Sequence, residues 1–287
     1  MLRCTYIVLI HNNESNILSL IASLKQVSGN IRKEFIFVDD GSTDDSLQVL
    51  KFAVNDLPRT TIITQQNQGP SISINKASSL ATGDYIHFVE GNEVLHPDST
   101  LLLIESSLTL GTQVAVGRIS SEIMAEKINI VPMLIETPIK EILTNKVPSM
   151  REIGKSGSLV HRVLLDKVDK ADSSIYTQNM SLSLRCAKYS KFVYINADIS
   201  GSSKLCDDQT SSFVSYNNLR AIYNFVKENP ELFINLTSEL LLSLSQETSK
   251  SSDKINYSIK SITSKYIKST SLDTILKSYK KELDRLF

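Results

Sequence analysis

The sequence predicts an α/β protein with a mostly parallel sheet and helices on both of its faces. Short apolar and β-branched runs alternate with segments whose apolar residues recur at helical spacing, which is the pattern of β-α-β units with right-handed crossovers. The chain has 287 residues, 41% of them hydrophobic, which suits one large α/β domain with a helical extension or two small domains. From about residue 216 the pattern becomes helical only.

The strands are predicted from short runs that are apolar nearly throughout, as expected of strands buried on both faces. These runs are residues 6–10, 35–38, 60–64, 85–89, 114–117, 158–161 and 192–195. Helices are predicted between them from apolar residues that share one helical face. They cover residues 15–26, 47–54, 70–81, 99–110, 163–168 and 178–189.

Local signals refine the ends of these elements. Ser42 and Asp45 form an S-x-x-D pattern that predicts the start of the second helix. Pro70 suits the first turn of the third helix. Residues 90–93 are predicted to form a loop, and residues 118–156 contain three prolines and no clean period.

We divide the chain into an α/β domain, residues 1–212, and a helical region, residues 213–287. Residues 250–287 contain nine Lys or Arg and four Asp or Glu. Such a basic amphipathic end can lie on an anionic membrane, although a docked helix with a solvated lysine face has the same pattern. With no signal peptide and no apolar run of 18 residues, we expect a cytoplasmic protein, with peripheral contact to the inner face of the membrane as an option.

Composition and motifs exclude several classes of protein. The formal net charge is +0, so no general attraction to nucleic acid is expected. Cys4, Cys186 and Cys206 are far apart and form no metal-type pair, which agrees with a reduced compartment. No G-x-G-x-x-G follows the first predicted strand, which argues against a Rossmann-type dehydrogenase.

Two adjacent carboxylates follow the second predicted strand, in the stretch EFIFVDDGSTDDS at residues 34–46. Ligands of a doubly wound sheet bind in the crevice beyond the carboxyl ends of its strands. There, Asp39 and Asp40 can accept hydrogen bonds from a base or ribose, or face a cation. Aspartate is also a common turn residue, so a purely structural role is the alternative.

The stretch VDDGSTD resembles the first nucleotide-binding motif of family 2 glycosyltransferases, which have the GT-A fold. NQGPSISINKASSLATGDYIHFV resembles the second motif of that family, with Asn67, Gly69, Asn75, Gly83 and Tyr85 in place. The similarity continues in order along about two thirds of the chain. It implies a nucleotide-sugar donor, UDP-linked by default, and a glycan or lipid-linked acceptor in surface polysaccharide or lipopolysaccharide synthesis.

The resemblance also implies which residues bind the donor. Asp39 takes the position that binds the nucleotide base in the family. Asn12 occupies the position of an aromatic that often stacks on the base, and His11 beside it is a possible replacement. The donor-binding residues implied in this way are His11, Asn13, Glu14, Asp39, Asp40, Asn75 and Glu90.

Two motifs that carry chemistry in the family are altered here. Family members follow the fourth strand with Asp-x-Asp, which holds Mg²⁺ or Mn²⁺, whereas this chain has EGNE at residues 90–93, with Asn92 and Glu93 at the implied metal positions. The family's Glu-Asp pair, whose aspartate is the general base, corresponds to Gln178 and Asn179. An amide cannot accept the proton of an acceptor hydroxyl.

Two functions follow from the resemblance. The first is an inverting hexosyltransferase that works by a single displacement at the anomeric carbon of the sugar. The second is a catalytically inactive relative that binds a nucleotide, a glycan or a partner enzyme. General-base catalysis contributes about 10²–10⁴-fold, so the amides at 178 and 179 motivate the second possibility.

Overall fold

In the part of the chain that the structure describes, buried runs of Val, Ile, Phe and Tyr form a nine-stranded mixed sheet. The computed structural model describes residues 1–121, 130–155, 157–202 and 211–233, together with residues 239 and 243. The strands are β1 Leu2–Ile10, β2 Ile31–Asp40, β3 Thr60–Gln65, β4 Tyr85–Glu90, β5 Glu93–Leu95, β6 Val114–Ser120, β7 Met133–Ile135, β8 Ser158–His161 and β9 Phe192–Ser202.

Helices cover both faces of this sheet. They are α1 Ile17–Gln26, α2 Ser46–Ala53, α3 Pro70–Leu80, α4 Ser99–Thr109, α5 Pro138–Thr144, α6 Arg162–Lys167, α7 Asn179–Ala187 and α8 Ser211–Glu228. Short 3₁₀ turns occur at Pro148–Arg151 and Pro230–Phe233. The α/β architecture is therefore as predicted, and α3 begins at Pro70, as expected of a proline in a first helical turn.

The sheet has the order β3-β2-β1-β4-β8-β6-β9-β5, and β7 pairs with β9. The first four strands pair in parallel over long registers, and β6 pairs in parallel with β9. β8 runs antiparallel between β4 and β6, and β5 and β7 add short antiparallel edges to β9. The sheet is therefore mostly parallel, as predicted, with antiparallel pairs in its second half.

Two local predictions are wrong. The second helix begins at Ser46, close to the predicted span 47–54, but Ser42 does not start it: the hydroxyl of Ser42 instead accepts a hydrogen bond from the backbone N–H of Asn12 at 3.1 Å. The predicted loop at residues 90–93 ends in a strand, because Glu93 starts β5 and pairs with Ser202 of β9. Its partner lies 109 residues along the chain (202 − 93), so no local signal marks it.

The core is divided between the two faces of the sheet, because successive strand residues point to opposite sides. On one face, Tyr6 and Phe35 stack with ring centroids 5.1 Å apart among side chains of α1, α2 and α4. On the other face, Ile7 and Phe88 pack with α3, α5, α6, α7 and α8. Each such large, fully buried side chain contributes about 1.5–3 kcal/mol to folding.

The C-terminal part of the described chain is helical, as predicted. Leu219, Ile222, Phe225 and Val226 of α8 are buried in the same core as α7, on the predicted face. The helix begins at Ser211, so the proposed boundary between 212 and 213 falls in its first turn. The basic residues 250–287 and their predicted membrane contact lie outside the described residues. None of the described helices combines the length and hydropathy needed to cross a membrane.

Candidate functional site

The carboxyl ends of β1, β2 and β4 meet at the point where the sheet changes its winding direction. β1 lies between β2 and β4, with Ile10 opposite Asp39 and Leu9 opposite Glu90. Two strand spacings of about 4.8 Å place the backbones of Asp39 and Glu90 roughly 10 Å apart. This switch point is where ligands of open α/β sheets bind.

Asp39 is the penultimate residue of β2 and is 3% exposed. Its Oδ1 accepts a hydrogen bond from the backbone N–H of Ser42 at 3.3 Å, which fixes the side chain against the turn that follows the strand. Its Oδ2 makes no hydrogen bond to any of the residues that the structure describes. One carboxylate oxygen therefore remains as an acceptor at the switch point.

Asp40 is the last residue of β2, and both of its oxygens are engaged. Oδ1 accepts from the side-chain amide of Gln65 at 2.7 Å and from the backbone of Gln68 at 2.8 Å. Oδ2 accepts from the backbone of Gly69 at 2.8 Å. Asp40 thus holds the loop between β3 and α3. The two adjacent carboxylates therefore differ in role. Asp40 has the purely structural role that we gave as the alternative for this pair.

His11 follows β1 and joins the two loops beside it. Its Nδ1 lies 2.9 Å from the carbonyl oxygen of Asp40, and because a carbonyl only accepts, Nδ1 carries the proton. Nε2 is then the acceptor for the side-chain amides of Asn12 and Asn67, each 3.4 Å away. The exposed ring of His11 lies at the rim of the switch point.

Asn13 closes the turn after β1. Its Oδ1 accepts from the backbone N–H of His11 at 2.8 Å. A Cβ built on Gly91 would lie 2.3 Å from this same oxygen, so the loop after β4 approaches Asn13 only because residue 91 is glycine. Glu14 is exposed, and its backbone N–H donates to Asp44 at 3.2 Å.

Asn75 lies on α3, away from the end of β2. Its amide forms two hydrogen bonds with the backbone of Ala171, donating to the carbonyl at 2.9 Å and accepting from the N–H at 2.8 Å. This pair ties α3 to the segment that leads into α7. The structure therefore brings His11, Asn13, Asp39 and Glu90 to the switch point, while Asn75 and Asp40 support the loops around it.

The residues implied as metal ligands do not fit a divalent cation. Asn92 donates its amide N–H to the hydroxyl of Ser202 at 3.3 Å. Glu93 is 3% exposed and accepts from the backbone N–H of Glu90 at 3.2 Å, and burial, with the nearby charge of Glu90, raises its pKa well above 4.5. Among the described residues, no three His, Cys, Asp or Glu side chains form a metal-binding group.

Gln178 lies just before α7 and is 1% exposed. Its Nε2 donates to the hydroxyl of Ser71 at 2.7 Å and to the carbonyls of Asp172 and Ile175 at 2.8 and 2.7 Å. Its Oε1 accepts from the backbone of Asp172 at 2.8 Å. A carboxylate could not donate these bonds, so the amide at this position holds residues 172–178 together.

Asn179 is the first residue of α7 and is half-buried. Its side chain forms no hydrogen bond with the described residues, in contrast to that of Gln178. Other carboxylates in the second half of the chain could take the role of the base. Of these, Asp172 accepts from Ser174 at 2.7 Å, and Asp198 accepts from Arg118 at 2.8 Å. Asp207 and Asp208 lie outside the described residues.

The sequence did not single out Tyr176, which packs on the loop that Asp40 holds. A Cβ built on Gly69 would lie 2.6 Å from the tyrosine ring, and Gly69 has φ +87°. Burial and the charge of Asp40 raise the pKa of Tyr176, so its hydroxyl stays protonated. In the sequence, the only sign of this contact is Gly69 of the second motif, and a glycine does not identify the aromatic residue that packs on it.

Comparison with solved structures shows a shared fold. The chain is similar to S. aureus TarS residues 1–349, with a TM-score of 0.58 and 14% sequence identity over 98% of this chain and 92% of that one. It is equally similar to the crystal structure of TarS 1–349 in complex with UDP-GlcNAc, with a TM-score of 0.60 and 12% identity over 97% and 89% of the two chains. These likenesses support the predicted GT-A fold.

Comparison with protein sequences finds relatives that match part of the chain. An uncharacterized glycosyltransferase of Escherichia coli K12, YibD, is 30% identical over 98 residues, which cover 30% of this chain and 28% of the relative. The chondroitin synthase of E. coli is 36% identical over 72 residues, 25% of this chain and 10% of the synthase. The matches thus span less than a third of either relative. The profile of glycosyl transferase family 2 matches residues 5–168, more than half of the sequence, and the chain belongs to that family.

Proposed function

We propose that this protein transfers a sugar from a nucleotide-sugar donor, UDP-linked by default, to a glycan or lipid-linked acceptor. The observation that carries the proposal is Asp39, whose one available carboxylate oxygen lies at the switch point of a family 2 fold. A carboxyl oxygen held there is a suitable acceptor for the N–H of a nucleotide base. His11 and Asn13 border the same site, where they can contact the remainder of the nucleotide.

The comparisons support a transferase. The relatives carry the names of a glycosyltransferase and a chondroitin synthase, and a structure of similar fold contains UDP-GlcNAc. They also agree with a role in surface polysaccharide or lipopolysaccharide synthesis, which we include in the proposal. They lend no support to the catalytically inactive alternative. Membrane contact through residues 250–287 is part of the same proposal.

The reaction we propose is a single inverting displacement of a hexosyl unit. The acceptor oxygen bonds to the anomeric carbon while the bond from that carbon to the nucleoside diphosphate breaks, and the diphosphate leaves with the electron pair. The hydroxyl proton passes to a base other than Gln178 and Asn179, because their amides cannot take it. The proposed step assigns no role to Mg²⁺ or Mn²⁺, because position 92 carries an amide and the described residues hold no group of three metal-ligating side chains.

The proposal is tested by calorimetric titration of the full chain with UDP, GDP and dTDP, each with and without Mn²⁺. We expect UDP to bind, with an affinity that Mn²⁺ does not change. Release of UDP from UDP-sugars in the presence of glycan acceptors then measures turnover. Failure of all three nucleotides to bind would refute the donor site, and binding without any turnover would favour the inactive alternative.

A further inference from the structure

A cavity of about 330 Å³ opens beside the first turn of α3, between the segment 171–178 and α8. Its volume is near the lower end of the range for small-molecule sites, about 300–1,000 Å³. The residues that line it and carry the argument are Gln68, Ser71, Ser173, Tyr176, Asn217 and Arg220. None of them belongs to the proposed nucleotide site.

The wall that carries Tyr176 is held in place by buried hydrogen bonds. The backbone N–H of Tyr176 donates to Oδ1 of Asn217 at 3.0 Å, and Asn217 is only 2% exposed. The hydroxyl of Ser71 lies 2.8 Å from the carbonyl of Tyr176, and Gln178 binds the same hydroxyl at 2.7 Å. The segment is therefore preorganised, which lowers the entropy lost when a ligand binds.

The chemistry of the cavity suits a sugar ring. The ring of Tyr176 packs on Gly69, and the residue is 37% exposed and lines the cavity. The C–H groups on one side of a sugar carry slight positive charge, which the negative face of an aromatic ring attracts. Ser173, Gln68 and Arg220 also line the cavity, and their hydroxyl, amide and guanidinium side chains are of the types that hydrogen-bond the hydroxyl groups of a sugar.

We propose that this cavity binds a sugar unit of the acceptor glycan, with Tyr176 as the stacking surface and Gln68, Ser173 and Arg220 as hydrogen-bonding partners. The inference rests on the proposed transferase function. The segment 171–178 joins the cavity to Asn179, which occupies the family's base position, so a sugar bound here would belong to the chain that receives the new unit.

Saturation-transfer NMR with methyl glycosides of hexoses, N-acetylhexosamines and hexuronic acids tests the cavity without a donor. With the wild-type protein, we expect saturation transfer to the ring protons of at least one glycoside. Tyr176→Phe should retain it, and Tyr176→Ala should weaken binding by about tenfold or more. Tyr189→Ala is the matched control, because Tyr189 is 43% exposed and lies beside Lys167, outside the cavity.

The affinity for UDP separates this inference from the proposed function. We expect Tyr176→Ala to leave UDP binding unchanged. Loss of UDP binding in that variant would assign the cavity to the nucleotide and overturn the inference. Equal sugar signals in Tyr176→Ala and the wild type, or no signal from any glycoside, would also overturn it. If sugars bind at Tyr176 while UDP does not bind the wild type, the sugar site is supported and the proposed nucleotide donor is refuted.

Discussion

Restoring the family's acid at position 178 should damage the fold. In Gln178→Glu the carbonyls of Asp172 and Ile175 lose the amide that donates to them at 2.8 and 2.7 Å. The introduced oxygen also faces these carbonyls in a site that is 1% exposed. Both carbonyls keep a second donor, the N–H of Ile175 for Asp172 and the hydroxyl of Ser71 for Ile175, so the cost comes from the two lost hydrogen bonds, about 0.5–1.5 kcal/mol each, and from the introduced oxygen. We therefore expect a loss of about 2–4 kcal/mol in the free energy of unfolding.

Urea denaturation followed by circular dichroism measures this loss. At about 2–4 °C per kcal/mol for a domain of this size, the melting temperature should fall by roughly 5–15 °C. Asn179→Asp is the control, since its side chain has no hydrogen bond to lose among the described residues and a charge in the first turn of α7 is favourable. Its stability should stay within about 0.5 kcal/mol. A Gln178→Glu variant as stable as the wild type would refute the structural role of the amide.

Three further predictions concern the residues around the switch point. Asp40→Asn leaves one of the donors around Asp40 without its acceptor and should lower the free energy of unfolding by about 1–3 kcal/mol in urea titrations. Burial and the charge of Glu90 raise the pKa of Glu93, so the free energy of unfolding of the wild type should fall as pH rises above 4.5. Glu93→Gln should reduce the slope of the free energy of unfolding against pH by up to about 1.4 kcal/mol per pH unit. Gly91→Ala should displace Asn13, cost about 1–3 kcal/mol and weaken UDP binding measured by calorimetry.

Each of these variants has a control or a contradictory outcome. Asp39→Asn is the control for Asp40→Asn, because it keeps the acceptor for Ser42 and removes no other hydrogen bond to the described residues, so its stability should change little. Glu14→Gln is the exposed control for Glu93→Gln and should leave the pH profile unchanged. The raised pKa of Glu93 would be contradicted if the free energy of unfolding of the wild type rose between pH 5 and 8 by as much as that of Glu93→Gln. Unchanged stability and UDP affinity in Gly91→Ala would show that Asn13 has room to move.

The first half of the fold could be predicted because its signals are local. Apolar strands, amphipathic helices and Pro70 repeat the β-α-β pattern up to β4. In the second half, β6, β8 and β9 were predicted as strands, and β8 has its predicted bounds. β5 and β7 were not predicted, because each is three residues long and pairs with the distant strand β9. A strand of three residues has too few positions to show a period.

The site was predicted in its position and less well in its roles. Asp39 and Asp40 are adjacent and chemically alike, and only the distant donors Gln65, Gln68 and Gly69 distinguish them. The amide of Gln178 looked like a lost acid because the carbonyls to which it donates come from a loop whose shape the sequence does not reveal.

The most direct measurement is the titration of wild-type protein and Asp39→Asn with UDP in the same buffer. Replacing the available oxygen of Asp39 by an amide removes a charged acceptor worth about 1.5–3 kcal/mol, which corresponds to roughly a 10- to 150-fold loss of affinity. We expect wild-type binding, weakened to that extent in Asp39→Asn, with the stability of the variant unchanged. Equal affinity of the two proteins for UDP, or no binding to either, would contradict a nucleotide site built on Asp39.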